Sequence, residues 1–231
     1  MRYALSPAPL AAVPVAGSDE LFPVRRIYCV GRNYAEHARE MGFSGREAPF
    51  FFMKPADAVL PVPAGQEGRL PYPPRTADLH HEIELVVAMG RGGANIAAQD
   101  ALQHVWGYAV GLDMTRRDLQ ADMKKQGRPW CIAKGFDASA PIGPITPAAQ
   151  AGNVQDAAIW LNVNGQPRQK SRTSQLIWSI AETIEHLSAA WTLQPGDLIF
   201  TGTPEGVGAV ARGDVLEAGI EGLGTLRLAV A

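Results

Sequence analysis

The stretch HHEIELVVAM, residues 80–89, constrains the fold more than any other part of the chain. Ile83, Leu85, Val87 and Met89 alternate with a period of two, which predicts a strand with a buried face. Its other face carries Glu82 and Glu84, whose Cα atoms stand on the order of 6.5 Å apart along an extended backbone. Two like charges on a core strand repel each other and lose hydration, so a chain that keeps them there needs a counter-charge. Carboxylates placed this way bind one hard cation through oxygen. Magnesium and calcium take such ligands, and manganese is compatible. A solvated strand face shows the same E-x-E spacing, and these two residues alone do not separate the readings.

A third carboxylate does. Asp113 lies in AVGLDMT, after an apolar strand pattern and directly before a helical one, so its side chain emerges at an element boundary. Three acidic groups facing one another from two apolar strands destabilise a fold that has no cation among them, which points to a metal site. Asp118 and Asp122 lie further along the polar helix and are expected to be solvated or salt-bridged. Neither Cys29 nor Cys131 has a cysteine or histidine at ligand spacing, which disfavours tetrahedral zinc. Two cysteines also argue against a disulfide scaffold and fit a reducing, cytoplasmic setting.

With 231 residues, 46% of them hydrophobic, the chain can bury a core in one domain. Its 24 glycines and 18 prolines are spread along the whole length, so they mark many short elements and not a linker. Residues 1–22 are expected to form an N-terminal arm with short strands, and 23–231 a single catalytic domain. VRRIYCVG, PFFFMKP, DAVLPVP, HEIELVVAMG and WGYAVGLDM read as strands. NYAEHAREMG reads as a helix capped by Asn33, IAAQDALQHV as a second, and TRRDLQADMKKQ as a third that Gly127 ends. IWLNVNGQPRQ is a hairpin signal turning at Asn164-Gly165. SQLIWSIAETIEHLSAAW is the best amphipathic helix, and the remainder alternates short apolar runs with glycine turns. The expected class is α+β and β-rich, with a few peripheral helices.

A net charge of -2, with no Lys/Arg run longer than two, leaves no basic surplus for phosphates and argues against a nucleic-acid partner. The prolines in MRYALSPAPLAAVPVAG make a poor signal-peptide core, and no window approaches the ~18 apolar residues of a membrane span.

Three further constellations carry chemistry. His37 and Glu40 form an i,i+3 pair, and a histidine held by a carboxylate can take a proton from water near neutral pH. An ordinary surface helix with alternating charge has the same pattern. Lys54 in FFMKPAD and Lys134 in CIAKGFD lie in apolar surroundings, where each could hold an anion or snorkel to solvent. TGTPEGVG, residues 201–208, could present backbone N–H groups to a carboxylate or phosphate, or be a tight loop with no ligand. It is neither a Walker A loop nor a dinucleotide fingerprint.

The blocks YCVGRNYAEHAREMG, FFMKPADAV, HHEIELVV, GYAVGLDMTRRDLQ, WCIAKGFD and GDLIFTGTPEGVG, in this order, resemble the fumarylacetoacetate hydrolase family, in its short acylpyruvate and fumarylpyruvate hydrolase branch. The resemblance implies a mixed β-sandwich roll, usually a homodimer, with Mg2+ or Mn2+ held by Glu82, Glu84 and Asp113. An α-keto acid substrate would chelate that metal, and a β-diketone C–C bond would be hydrolysed, as in aromatic-ring catabolism. His37 and Glu40 match the water-activating dyad, on a lid around 32–46. Lys134 matches the catalytic lysine. Arg117, Gln120 and Thr203 match substrate contacts, with Arg32, Tyr34, Lys54 and Gly202 completing the expected set. A distal carboxylate on fumarylpyruvate would call for a further cation, Arg32, Arg39, Arg46 or Arg128. Oxaloacetate decarboxylation, other acylpyruvates and a non-catalytic ligand-binding role are the alternatives.

Overall fold

The computed structural model describes residues 3–35 and 46–231. Eight strands form a mixed sheet in the order Phe50–Lys54, Ile27–Gly31, Leu198–Phe200, Ile83–Met89, Val105–Leu112, Ala140–Ile142 and Val59–Pro61, with Thr146–Pro147 also paired to Val105–Leu112. Five strands form a second sheet, ordered Gln166–Arg172, Ala158–Val163, Val215–Ile220, Gly224–Val230 and Glu67–Leu70. Leu79–His81 lies between Thr115–Arg116 and Gly208–Val210 in a third, antiparallel sheet. This is the β-rich roll the sequence implied.

The central strand shows why the acidic pair is unusual. All seven residues of Ile83–Met89 are buried, so no face of it meets solvent. Ile83, Leu85, Val87 and Met89 enter a core shared with Ile159, Leu161 and Leu228 of the five-stranded sheet. Val86 and Ala88, on the Glu84 side, enter a second core with Phe200, Ile27 and Ile142. That core is closed by Val13 and Phe22 of the hairpin Ala12–Pro14/Leu21–Pro23. Each fully buried aliphatic side chain here contributes about 1.5–3 kcal/mol. The solvated-face reading of E-x-E is therefore excluded.

Local chemistry sets the peripheral elements. Asn164 and Gly165 both have positive φ, 52° and 73°, as a two-residue hairpin turn of the I′ kind requires. The long amphipathic helix is shorter than expected and runs Ile180–Ala190. Ser179 caps it, accepting from the Glu182 backbone N–H while the Glu182 side chain accepts from the Ser179 backbone, so helical geometry begins only there. Its buried Ile180, Ile184 and Leu187 share one face and join the first core. The third expected helix also starts later, as Arg117–Lys125, because Thr115 and Arg116 pair with Leu79–His81. The expected IAAQDALQHV helix is cut to Ala98–Ala101 plus a 3-10 turn, Leu102–His104, before Val105 enters the sheet.

Asn33 corrects another expectation. Its Nδ2 donates to the carbonyls of Trp178, 2.9 Å, and Thr201, 2.8 Å, and its Oδ1 accepts from Trp178 N–H at 2.7 Å. The side chain clamps two distant segments and is not free to cap a helix. Most of the NYAEHAREMG helix, and with it His37, Glu40 and most of the lid segment, lies outside the described residues. Among the described residues no helix is long and apolar enough to cross a membrane.

Candidate metal centre and active site

Strand register assembles the three carboxylates. Glu84 pairs with Gly111 across the Ile83–Met89/Val105–Leu112 ladder, and just beyond it Asp113 N–H donates to the Glu82 carbonyl at 2.9 Å. One oxygen from each of Glu82, Glu84 and Asp113 lies within 4.8 Å of the other two, and all three residues are at most 5% exposed. Leu198–Phe200 pairs with the same central strand and brings the 201–208 loop against Glu84.

Cations surround this cluster unevenly. Lys134 Nζ donates to Glu82 Oε2 at 2.8 Å and to Asp113 Oδ2 at 2.6 Å. Arg117 Nη2 donates to Glu82 Oε1. Lys54 Nζ lies 2.8 Å from Asp113 Oδ1, but its aligned hydrogen bonds go to the carbonyls of Met114 and Lys134. Asp113 Oδ1 is thus ion-paired yet has no aligned donor. Glu84 receives a single backbone donor, Gly202 N–H at 2.7 Å, and among the described residues no cation pairs with it.

The titration behaviour follows from those partners. Burial, then the Asp113 and Glu82 charges, push the Glu84 carboxyl well above its ordinary value. Burial works against the Glu82 charge too, but Lys134 and Arg117 outweigh it and hold that carboxyl low. For Lys134, burial alone would favour the neutral amine. The Asp113 and Glu82 carboxylates outweigh it, and the ammonium is held above its ordinary value.

Three buried carboxylates, one oxygen without an aligned donor and one charge without a cation fit a hard divalent ion, and the all-oxygen set suits magnesium or manganese. Asp118 plays no part. It accepts from Thr76 Oγ1, Ala77 N–H and Leu119 N–H at the start of its own helix.

A cavity of about 40 Å³ opens beside the triad. That is room for a few water-sized groups. Arg117, Gln120, Thr203 and Lys134 line it on the charged side. Phe50, Phe52 and Trp130 add an aromatic wall, with Phe50 and Trp130 edge to face at 5.5 Å and the Lys134 ammonium 5.0 Å from the centre of the Phe52 ring. Arg32 also lines the cavity, its guanidinium 5.1 Å from the centre of the Phe50 ring. Arg117 is oriented from behind by His80, which accepts from Arg117 Nε at 3.4 Å and donates through Nε2 to Asp78 at 2.8 Å. Arg117 Nη1 donates to Gln120 Oε1 at 2.6 Å.

The structure brings together Glu82, Glu84, Asp113, Lys134, Arg32, Arg117, Gln120 and Thr203 around one cavity. Three other expected substrate contacts stand behind it. Lys54 is buried against Asp113 and does not snorkel, and Gly202 spends its N–H on Glu84. Tyr34 is buried, and burial with the Glu84 charge pushes its phenol upward. Lys134 sits on the helical turn Cys131–Lys134 and not on a strand, because Cys131 and Trp130 carbonyls accept from Gly135 and Lys134 N–H. Gly202 has φ +102°, and a Cβ there would lie 2.7 Å from Asn33 Cβ, so glycine is required at this contact. His37 and Glu40 lie outside the described residues. Sequence reasoning missed the aromatic wall, the Asn33 clamp and Gln169, whose buried amide bonds the 203–204 loop.

The chain matches the family model for fumarylacetoacetate (FAA) hydrolase C-terminal over residues 26–231. It is 58% identical to a crystal structure of fumarylpyruvate hydrolase from Pseudomonas aeruginosa in complex with Mn2+ and pyruvate, with a TM-score of 0.97 covering 100% of this chain and 99% of that one. A mitochondrial oxaloacetate tautomerase from Homo sapiens is 44% identical over 199 residues, 86% of this chain and 88% of the relative. A mitochondrial oxaloacetate decarboxylase from Dictyostelium discoideum is 41% identical over 201 residues, 87% of this chain and 91% of the relative.

Proposed function

Since the chain belongs to the fumarylacetoacetate hydrolase family, we propose that it is a metal-dependent hydrolase that cleaves the C–C bond of an acylpyruvate, fumarylpyruvate, to fumarate and pyruvate. The observation that carries this reading is the likeness over the whole chain to the Pseudomonas aeruginosa fumarylpyruvate hydrolase. The cavity supports it, since the carboxylate cluster, an aromatic wall and the Arg32 guanidinium all line it.

A divalent cation held by Glu82, Glu84 and Asp113 would supply positive charge to the α-keto acid oxygens and to the enolate left when the bond breaks. Thr203 and Gln120 would orient the substrate's carboxylate end from the charged side of the cavity. Lys134, kept protonated by its two carboxylates, serves as a donor to a developing oxyanion and not as a base. Proton removal from water falls to His37 with Glu40, on the family resemblance. Phe50, Phe52 and Trp130 would pack on a flat conjugated acyl group and exclude water from it. Arg32, which lines the cavity, would meet a distal carboxylate; Arg46 pairs with Glu182 and stacks on Trp178. The working unit is a homodimer on the same resemblance, a state that sedimentation reads directly.

The oxaloacetate-acting relatives support a second reading, in which the same α-keto acid recognition serves decarboxylation or tautomerisation of oxaloacetate. No attacking water is needed there. Purified protein with Mg2+ or Mn2+ should be assayed on fumarylpyruvate, acetylpyruvate, fumarylacetoacetate and oxaloacetate. Fastest turnover is expected on fumarylpyruvate, and rapid acetylpyruvate cleavage with fumarylpyruvate untouched would overturn the substrate assignment. A His37→Ala variant that keeps oxaloacetate activity but loses diketone hydrolysis would separate the two chemistries.

A further inference from the structure

Gln169 lies on the strand Gln166–Arg172, where its neighbours Arg168 and Lys170 are exposed, yet its own side chain is 1% exposed. The buried amide uses all of its hydrogen-bonding capacity within reach of the active site. Oε1 accepts from Ile83 N–H at 3.1 Å and meets His81 Nδ1 at 3.0 Å. Nε2 donates to the Pro204 carbonyl and to Thr203 Oγ1, both at 2.8 Å. Two of these partners have only one possible role, since a backbone N–H can only donate and a carbonyl can only accept. The amide orientation is fixed by them, because the flipped amide would set donor against donor and acceptor against acceptor.

The other two roles then follow. His81 must carry its proton on Nδ1, and the Thr203 oxygen must accept. A threonine hydroxyl has one proton to give, and Thr203 donates to no described protein group. Thr203 lines the cavity together with Glu82, Glu84, Asp113 and Gln120. A free hydroxyl rotor can turn either a proton or a lone pair toward a ligand, and only the first suits an anion. By occupying one of the two lone pairs, Gln169 keeps the hydroxyl proton off its own side and leaves it available to a ligand in the cavity.

We propose that Gln169 is a positioning residue that keeps the Thr203 proton available for donation to the substrate carboxylate. Through Ile83 N–H it also ties that donor to the strand beginning beside Glu82. This proposal rests on the α-keto acid reading of the site. Gln169 touches neither the cavity nor the reacting atoms and acts through Thr203.

The test measures pyruvate binding to Mn2+-loaded protein by calorimetry, and Mn2+ binding separately in pyruvate's absence. Gln169→Glu keeps the shape and the acceptor used by Ile83 and His81 but replaces the Nε2 donor with a carboxylate oxygen. Thr203 then donates to that oxygen and turns its lone pairs to the cavity. Gln169→Glu and Thr203→Val should each weaken pyruvate binding about tenfold, the scale of one hydrogen bond to a charged group. Thr203→Ser keeps the hydroxyl and should retain affinity. The double variant Gln169→Glu/Thr203→Val should bind no more than about twofold worse than the weaker single, since both changes remove the same donor. Mn2+ affinity should stay within about threefold throughout, because no ligand is altered.

The proposal is overturned if Thr203→Val binds pyruvate like wild type, if Gln169→Glu does so while Thr203→Val does not, or if the two losses multiply. A parallel fall in Mn2+ affinity would also overturn it, as Gln169 would then act only by holding the Glu82 strand. Should Gln169→Glu fail to fold, Gln169→Met takes its place: it frees the Thr203 rotor, so it should weaken pyruvate binding about two- to threefold, and by nothing further when Thr203 is already valine. Wild-type protein that binds Mn2+ but not pyruvate would defeat the α-keto acid reading and this proposal with it, whereas failure confined to the variants defeats this proposal alone.

Discussion

Glu82 and Glu84 are the same residue two positions apart, and replacing each by glutamine is expected to change the metal-free fold in opposite directions. Glu84→Gln removes a buried charge that no described cation pairs with, while the new amide oxygen still accepts from Gly202 N–H. The cost of the wild-type charge is bounded, because the group can always take a proton instead. At pH 7 that cost is at most about 3.5 kcal/mol, from ~1.4 kcal/mol per pH unit above the ordinary carboxyl value of 4.5. The variant should therefore gain about 1–3 kcal/mol without metal. The gain should vanish as pH falls below the ordinary value, where the group is protonated folded and unfolded alike. Glu82→Gln instead removes the partner of Arg117 and one of two partners of Lys134. Breaking a buried pair costs about 3–5 kcal/mol, and Asp113 still holds Lys134 at 2.6 Å, which keeps the loss near the low end. Thermal unfolding of chelator-treated protein at fixed concentration reads both, at about 2–4 °C per kcal/mol for a chain this size. Mn2+ at 100 times its Kd should add about 2.7 kcal/mol to wild type, and both variants should lose most of that. If Glu84→Gln melts below wild type without metal, the argument that Glu84 is the ligand without a counter-charge is refuted.

Because Glu84 is held well above its ordinary value, Mn2+ must displace a proton from it, so affinity should fall as pH drops from about 8 toward 5. Calorimetric enthalpies that do not change with the buffer's ionisation enthalpy would contradict this. Ser179→Ala breaks the capping box of Ile180–Ala190 and should cost about 1 kcal/mol, lowering Tm by about 2–4 °C with kcat unchanged. Gly202→Ala sets a Cβ 2.7 Å from Asn33 at φ +102°, so it should cost at least about 2 kcal/mol and weaken Mn2+ binding by moving the Gly202 N–H away from Glu84. A variant that melts and binds Mn2+ like wild type would show that the 201–208 loop yields without consequence.

What the sequence made legible was what local periodicity controls. A period of two put Ile83, Leu85 and Val87 on one face and Glu84 on the other, and the switch of period after Leu112 put Asp113 at a boundary, so the triad followed from two strands alone. Whether the acidic face met water was not local. It depends on Val13 and Phe22, about sixty to seventy residues earlier in sequence, folding back to close the second core. Nor could spacing tell Glu82 from Glu84, for the difference between a paired and an unpaired charge lies in Arg117 and Lys134, brought in by two later helical segments. Gln169 was the least legible, because QPRQKSR is polar throughout and alternation carries no signal when both faces are polar. The only hint available was that one amide stood at an inward register among charged neighbours, and a strand's inward positions are costly for a polar group unless every bond is met. All four are met here, two of them by groups of fixed role, and that is why the acceptor role of Thr203 toward Gln169 follows from the heavy atoms alone.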